Sequence, residues 1–168
     1  PYCYRCPHQH SPEECGIDCT YELEETIKSA TAGRPAAFIA ETIQGNAGII
    51  VPPKNYFKRV KEILDHYGVL FIADEVQTGF ARTGRMFAIE HFGVAPDIMT
   101  MAKALGNGAP ISAFIATPEI ADTYTKPGAS TLGGNPVSTT AGLEVIRYIE
   151  EHDLIGNADR RGAQLRAG

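Results

Sequence analysis

The stretch VLFIADEVQTGFARTG, residues 69–84, begins with five apolar residues and then presents two carboxylates, Asp74 and Glu75. A short apolar run bounded by turn-forming residues predicts a buried β-strand that ends at the acids. Desolvating a carboxylate is costly unless something positive meets it. The role of this stretch therefore depends on what Asp74 meets at the end of the strand. We expect Glu75 to point to the opposite side of the strand and to matter much less for any chemistry there.

The composition sets broad limits on the class of protein. The chain has 168 residues, of which 43% are hydrophobic and 21% charged, as expected for one globular domain with a sizeable core. Its net charge is −5 and it has no block of Lys or Arg, so neither a nucleic acid nor a membrane surface is an expected partner. The chain starts at Pro1 rather than Met, and we expect it to be an internal piece of a longer cytoplasmic protein, or a mitochondrial one if the source is eukaryotic.

The spacing of apolar residues predicts an alternation of helices and strands. The predicted helices span 21–30, 55–68 and 138–152, and the predicted strands span 36–41, 69–75, 97–103 and 111–117. This order is typical of an α/β layer built on parallel strands.

The same order predicts where a ligand binds. In parallel sheets, ligands bind outside the carboxyl ends of the strands, and Asp74 and Lys103 end two successive predicted strands. The link from Lys103 to Ile111 is too short for a crossover helix, so the following strand is predicted to be antiparallel. The expected sheet is therefore mixed and mainly parallel, with Lys103 in a Gly-rich turn.

Two interpretations of Asp74 are open from the residues alone. Asp74 can form a structural ion pair with Lys103 or Arg82. Alternatively, Lys103 can form a Schiff base with pyridoxal phosphate while Asp74 keeps the pyridine nitrogen of that cofactor protonated. The spacing does not separate the two.

All four cysteines, Cys3, Cys6, Cys15 and Cys19, lie in the first nineteen residues. Two Cys pairs can complete a tetrahedral zinc site, but the eight residues between Cys6 and Cys15 are fewer than in usual zinc fingers. We favour a Cys-rich loop over residues 1–20 that holds no metal, ahead of zinc and of a disulfide.

Three further stretches carry a family resemblance. ETIQGNAG (41–48), FIADEVQTGFARTGRMFAIEHFGVAPDIMTMAKALGNGAPISA (71–113) and STLGGNP (130–136) resemble, in order, the motifs of class III pyridoxal-phosphate aminotransferases. The similarity extends from about Phe38 to Ala167. The PYCYRCP opening is most similar to the branch of alanine–glyoxylate aminotransferase 2-like and ω-amino-acid enzymes.

The resemblance implies roles for residues in the longest motif. Lys103 matches the lysine that carries pyridoxal 5′-phosphate covalently and then shuttles the substrate proton. Asp74 matches the residue that hydrogen-bonds the pyridine nitrogen. Val76 matches an apolar residue packed on one face of the ring, and Gln77 matches an amide near its phenolic oxygen.

Two residues outside that motif are also assigned by the resemblance. Thr131 matches a residue that reaches the cofactor phosphate of the other subunit, which implies a homodimer. Glu41 matches the acid at the end of the preceding strand, and we count it among the cofactor-binding residues.

The resemblance implies a fold and an activity. Residues 21–168 are expected to be part of a fold type I PLP-binding large domain, without its N-terminal part and without the C-terminal small domain. The expected activity is transfer of an amino group from an amino acid, such as alanine or an ω-amino acid, to an oxo acid, such as glyoxylate or pyruvate, by a ping-pong mechanism. The alternatives are an aminomutase, a decarboxylase or a racemase on the same fold, and a non-catalytic metal-binding module built on the cysteines.

Overall fold

The structure is a computed structural model that describes residues 5–11, 15–32 and 34–168. Its α-helices are α1 (Cys19–Ser29), α2 (Tyr56–Tyr67), α3 (Pro118–Ala121), α4 (Pro136–Glu151) and α5 (Leu154–Ala167). Its strands are β1 (Ala37–Glu41), β2 (Leu70–Asp74), β3 (Ile98–Met101) and β4 (Ala113–Ala116). Short 3₁₀ helices span Ala88–Phe92 and Lys103–Leu105.

The strands form one sheet in the order β1-β2-β3-β4. β1 pairs with β2, and β2 with β3, in parallel, whereas β3 and β4 are antiparallel. The predicted mixed, mainly parallel sheet is therefore confirmed, including the antiparallel direction of the last strand. The short link between β3 and β4 explains that direction because it leaves no room for a crossover helix.

The core lies between α2 and one face of the sheet. Phe71 and Ala73 of β2 are fully buried there, while the alternate residues of β2, such as Ile72, are half-buried on the other face. Phe57 of α2 is 1% exposed, and its ring stacks on Phe71 at 5.5 Å and meets Phe92 edge-on at 5.1 Å. This aromatic cluster joins α2, the central strand and the 3₁₀ helix before β3.

Helix α1 is fastened to the end of α2 by a small polar cluster. The Tyr67 hydroxyl donates to Glu24 Oε1 at 2.9 Å, and Lys28 Nζ lies 3.0 Å from the same oxygen. The hydrogen bonds from Lys28 and then Tyr67 hold the pKa of the Glu24 carboxyl below its ordinary value. Because Lys28 is exposed and Glu24 and Tyr67 are only half-buried, the cluster orients α1 rather than stabilising the fold strongly.

The predicted elements differ from the observed ones mainly at their ends. Each predicted strand is one to three residues longer than the observed strand. Helix α4 begins at Pro136 rather than at Ser138, because Asn135 caps it by accepting the Ser138 amide at 3.0 Å. Neither α3 nor α5 was predicted from the sequence. Helix α5 has no buried residue, so it carries no clear apolar stripe to reveal it.

The Cys-rich segment overlaps the first helix. Helix α1 begins at Cys19, inside the predicted loop of residues 1–20, and Cys3 lies outside the described residues. Cys6 and Cys15 are half-buried free thiols. Within the described ranges, no group of three or more His, Cys, Asp or Glu side chains is arranged to hold a metal ion. Nor is any helix in those ranges long and apolar enough to cross a bilayer.

The aromatic cluster gives a stability prediction. We expect Phe57→Ala to lower the free energy of unfolding by about 3–5 kcal/mol, because it leaves a cavity between α2 and β2. Lys58→Ala, at the next and exposed position of α2, is the control and should change stability by less than about 0.5 kcal/mol. Urea unfolding followed by far-UV circular dichroism measures both. Equal effects at the two positions would contradict this account of the core.

Candidate active site at the carboxyl edge of the sheet

Asp74 and Lys103 lie at the same edge of the sheet. Asp74 is the last residue of β2 and pairs in register with Glu41 on one side and Thr100 on the other. Lys103 follows β3 after one intervening residue, Ala102. Because β2 and β3 are parallel neighbours, both side chains belong to the edge where parallel sheets bind ligands, as predicted.

The Asp74 carboxylate is half-buried and is oriented by the main chain two residues further on. Its Oδ1 atom accepts a hydrogen bond from the Val76 amide at 3.0 Å. Among residues 5–11, 15–32 and 34–168, neither Lys103 nor Arg82 forms an ion pair with Asp74. The structural ion pair that the sequence left open is therefore absent from the described chain, and the Asp74 carboxylate has no Lys or Arg partner there.

The main chain at Lys103 adopts an uncommon conformation. Lys103 is exposed and has a φ of 45°, in the left-handed region that residues other than glycine rarely occupy. It opens a single 3₁₀ turn, in which the Leu105 amide donates to Ala102 O at 3.0 Å and the Gly106 amide donates to Lys103 O at 3.1 Å. Strained backbone of this kind persists where the surroundings impose it, and it occurs often at functional sites.

Gly106 lies in the Gly-rich turn that follows Lys103. A Cβ atom at Gly106 would lie 2.2 Å from Ala109 O and 2.7 Å from the Ile111 side chain. Gly106 is therefore required by the tight turn between β3 and β4, which in turn holds Lys103.

Glu41 and Gln77 belong to two loops that pack together. Glu41, at the end of β1, accepts the Gly45 amide through Oε2 at 2.6 Å and so shapes the loop that follows. A Cβ atom at Gly45 would lie 2.2 Å from Gln77 Nε2, so the Gln77 side chain rests against the bare backbone of that loop. Within the described residues, the Glu41 carboxylate thus binds a backbone amide. The contact of Glu41 with a cofactor stays a prediction.

The remaining predicted residues lie at different places. Val76 is half-buried in the turn directly after Asp74. Thr131 is exposed in the loop that precedes α4, and no contact in the described chain joins it to the sheet edge. Its predicted contact with the cofactor of a second subunit stays a prediction.

Glu75 makes more contacts than its place in the sequence indicated. Its side chain is 0% exposed, whereas Asp74 is half-buried, and both Glu75 carboxylate oxygens accept hydrogen bonds. Oε1 accepts the Thr42 hydroxyl at 2.8 Å and the Ile89 amide at 2.8 Å; Oε2 accepts the Ala88 amide at 3.0 Å and the Thr78 hydroxyl. The adjacent pair of acids in the sequence was the available signal, but their different environments appear only in three dimensions.

A family model shows the class of the chain. The model described as aminotransferase class-III matches residues 2–168. Leucine/methionine racemase from Thermococcus litoralis is 50% identical over 165 residues, which cover 97% of this chain and 37% of the relative. Alanine–glyoxylate aminotransferase 2 homolog 2, mitochondrial, from Arabidopsis thaliana is 47% identical over 146 residues, which cover 86% of this chain and 31% of the relative.

A solved structure shows the same fold. The amine transaminase from an uncultivated Pseudomonas species, in its PLP-bound form, superimposes with a TM-score of 0.91 at 40% identity, covering 98% of this chain and 39% of that one. The chain therefore spans between about a third and two fifths of the length of these relatives. With a family model that covers almost all of its length and a shared fold type I architecture, this chain belongs to the class III aminotransferases, a PLP-dependent family.

Proposed function

We propose that the full-length protein is a PLP-dependent aminotransferase that moves an amino group from an amino acid, such as alanine or an ω-amino acid, to an oxo acid, such as glyoxylate or pyruvate. The observation that carries this proposal is the placement of Asp74 and Lys103 at one edge of neighbouring parallel strands, without an ion pair between them in the described chain. A carboxylate and an amine that are not paired with each other at a ligand-binding edge can both bind one ligand, the acid through a charge and the amine through a covalent bond.

The side chains at this edge fit pyridoxal phosphate. The carboxylate of Asp74 is half-buried and fixed by the Val76 amide, which suits a charged contact with a ring nitrogen. The amine of Lys103 is exposed and primary, the chemistry required to bind an aldehyde. We assign Asp74, Val76, Gln77 and Lys103 as the residues of this chain that hold the cofactor, with Glu41 shaping the adjoining loop.

Three of these residues, Asp74, Val76 and Lys103, have a defined task in amino-group transfer. Bound pyridoxal phosphate supplies an electron-withdrawing ring that stabilises negative charge developing on the substrate Cα. Asp74 holds a proton on the ring nitrogen through its carboxylate, and Val76 excludes water from one side of the ring. Lys103 Nζ removes the proton from the substrate Cα and acts as general acid when a proton returns.

We further infer a homodimer in which Thr131 reaches the cofactor phosphate bound by the other subunit. Its exposure in the loop before α4 supports this role, because the side chain is accessible to a second chain. We place residues 21–168 within the PLP-binding large domain and residues 1–20 in a Cys-rich segment beside it. A cytoplasmic location, or a mitochondrial one in a eukaryote, also stays a prediction.

The first test concerns the covalent bond. We expect Lys103→Ala in the full-length protein to abolish transamination, because the variant loses both the anchoring amine and the general base. Borohydride reduction of the wild type followed by peptide mapping should find the cofactor on Lys103. Lys54→Ala, at another exposed lysine, is the control and should retain activity. A label on Lys54 or Lys126 instead would refute the assignment.

The second test concerns Asp74. Asp74→Asn should fold normally, because an amide oxygen still accepts the Val76 amide. Loss of a buried ionic contact costs about 3–5 kcal/mol, and so the half-reaction with alanine should slow by about a hundredfold to several thousandfold. Asp122→Asn, at an exposed position, is the control. A rapid half-reaction in Asp74→Asn, with an unchanged melting temperature, would show that the carboxylate is only structural.

Racemisation is a second candidate, favoured by the 50% identity to leucine/methionine racemase along 97% of this chain. Both reactions need a lysine that moves the Cα proton, so Lys103 does not distinguish them. We expect the full-length enzyme, given L-leucine without an oxo acid, to form no D-leucine, and to convert L-alanine with glyoxylate to pyruvate and glycine. Chiral chromatography measures both. Rapid formation of D-leucine without an amino acceptor would show that the protein is a racemase rather than an aminotransferase.

A further inference from the structure

Glu75 is a buried carboxylate that the proposed chemistry does not use. Desolvating such a group is expensive unless its hydrogen-bonding capacity is met, and no cation faces it within the described part of the chain. Four donors meet that capacity instead: the Thr42 and Thr78 hydroxyls and the Ala88 and Ile89 amides. Each of the two carboxylate oxygens thus accepts one hydroxyl and one amide hydrogen bond.

These donors come from three separate segments of the chain. Thr42 follows β1 directly, Thr78 lies in the turn after β2, and Ala88 and Ile89 open the 3₁₀ helix before β3. The Glu75 carboxylate therefore joins the loop after β1, the turn after β2 and the start of the 3₁₀ helix before β3. Its partners are 3 to 33 residues away in sequence.

The main chain of Glu75 is held as well. Its amide donates to Thr100 O on β3 at 3.0 Å, and its carbonyl accepts the Gly79 amide at 2.9 Å. Glu75 is thus fixed at both its backbone and its side chain, directly between Asp74 and the Val76–Gln77 turn. Movement of Glu75 displaces residues on both sides of it.

We propose that Glu75 is a positioning residue for the cofactor site. By cross-linking the three segments, its carboxylate holds Asp74 and Gln77 at fixed places along the sheet edge relative to Lys103. This role rests on the proposed function, since it matters for chemistry only if Asp74 and Gln77 hold the cofactor. Displacement of a reacting group by about 1 Å is enough to slow catalysis about a hundredfold.

The test compares Glu75→Gln with Glu90→Gln in the full-length protein. Glutamine at position 75 has one acceptor oxygen in place of two, and its NH₂ group faces a backbone amide, which only donates, beside a threonine hydroxyl. Glu90 is a matched control, because its carboxylate also caps the 3₁₀ helix, by accepting the Phe87 amide at 2.7 Å, but it is exposed and does not bind the other loops.

The first readout is amide hydrogen exchange of the cofactor-free protein. We expect the amides of Val76, Gly79, Ala88 and Ile89 to exchange at least about tenfold faster in Glu75→Gln. These amides lie in the segments that the carboxylate joins, and the segments open locally when it is replaced. In Glu90→Gln, faster exchange should be confined to the Phe87 amide. Wild-type exchange at Val76 and Gly79 in Glu75→Gln would overturn the positioning role whatever the melting temperature.

The second readout is half-reaction kinetics of the cofactor-loaded protein, well below its unfolding temperature. We expect Glu75→Gln to lower the half-reaction rate by about tenfold to a hundredfold, with KM changed by less than about threefold and with a shifted absorption band of the bound cofactor. Should Glu75→Gln fail to fold, Thr78→Val removes one donor and keeps the acid, and it should give smaller changes in the same direction. A variant with faster exchange but an unchanged rate and spectrum would make Glu75 purely structural.

Failure of this inference differs from failure of the proposed function. If the wild-type protein neither binds PLP nor transaminates, the proposed function fails, and the positioning role fails with it. If the wild type is active and Glu75→Gln matches it in rate, spectrum and exchange, only the inference about Glu75 is overturned.

Discussion

The parallel pairing of β1, β2 and β3 determines where each candidate site residue lies. The register sets Glu41, Asp74 and Thr100 side by side at the carboxyl edge. Because successive side chains of a strand point to opposite faces, a slip of β2 by one residue would turn Asp74 into the core and Glu75 toward the half-buried face. The buried Phe71 and Ala73 oppose such a slip, since it would bring them out of the core. Packing of α2 on β2 thus determines to which face of the sheet the Asp74 side chain points.

Asp74 and Glu75 show two solutions to the same electrostatic cost. Glu75 is fully buried and meets that cost with two hydroxyl and two amide donors. Asp74 is only half-buried and accepts one local bond, from Val76. Glu75, whose hydrogen-bonding capacity is met within the chain, joins the loops. Asp74, whose capacity is not fully met, remains able to bind a positively charged group. Two adjacent acids of similar chemistry therefore differ in how much of their hydrogen-bonding capacity the described chain meets.

The sequence predicted those parts of the fold that depend on local apolar patterns. The helices corresponding to α1, α2 and α4, all four strands and the antiparallel turn after Lys103 followed from spacing and link length. Helix α5 did not, because it buries none of its residues in the described chain. The cross-link through Glu75 did not either, because it joins Thr42, Ala88 and Ile89 across 13 to 33 residues and depends on the finished sheet. The placement of Asp74 and Lys103 at one edge was predictable from topology, whereas the left-handed backbone at Lys103 and the contact of Gly45 with Gln77 were not.

The site edge is held together mainly by neutral donors rather than by salt bridges. In the described chain, the ion pairs of Lys and Arg lie within or beside α1, α2, α4 and α5, away from Asp74 and Lys103. This distribution has a physical consequence. An ion pair between Asp74 and Lys103 would have to be disrupted before either group bound a ligand, at a cost of up to about 1 kcal/mol for a pair with an exposed partner. A site fastened by Glu75 and by the turn at Gly106 avoids that cost, because the groups that hold the backbone in place are distinct from the groups left to bind.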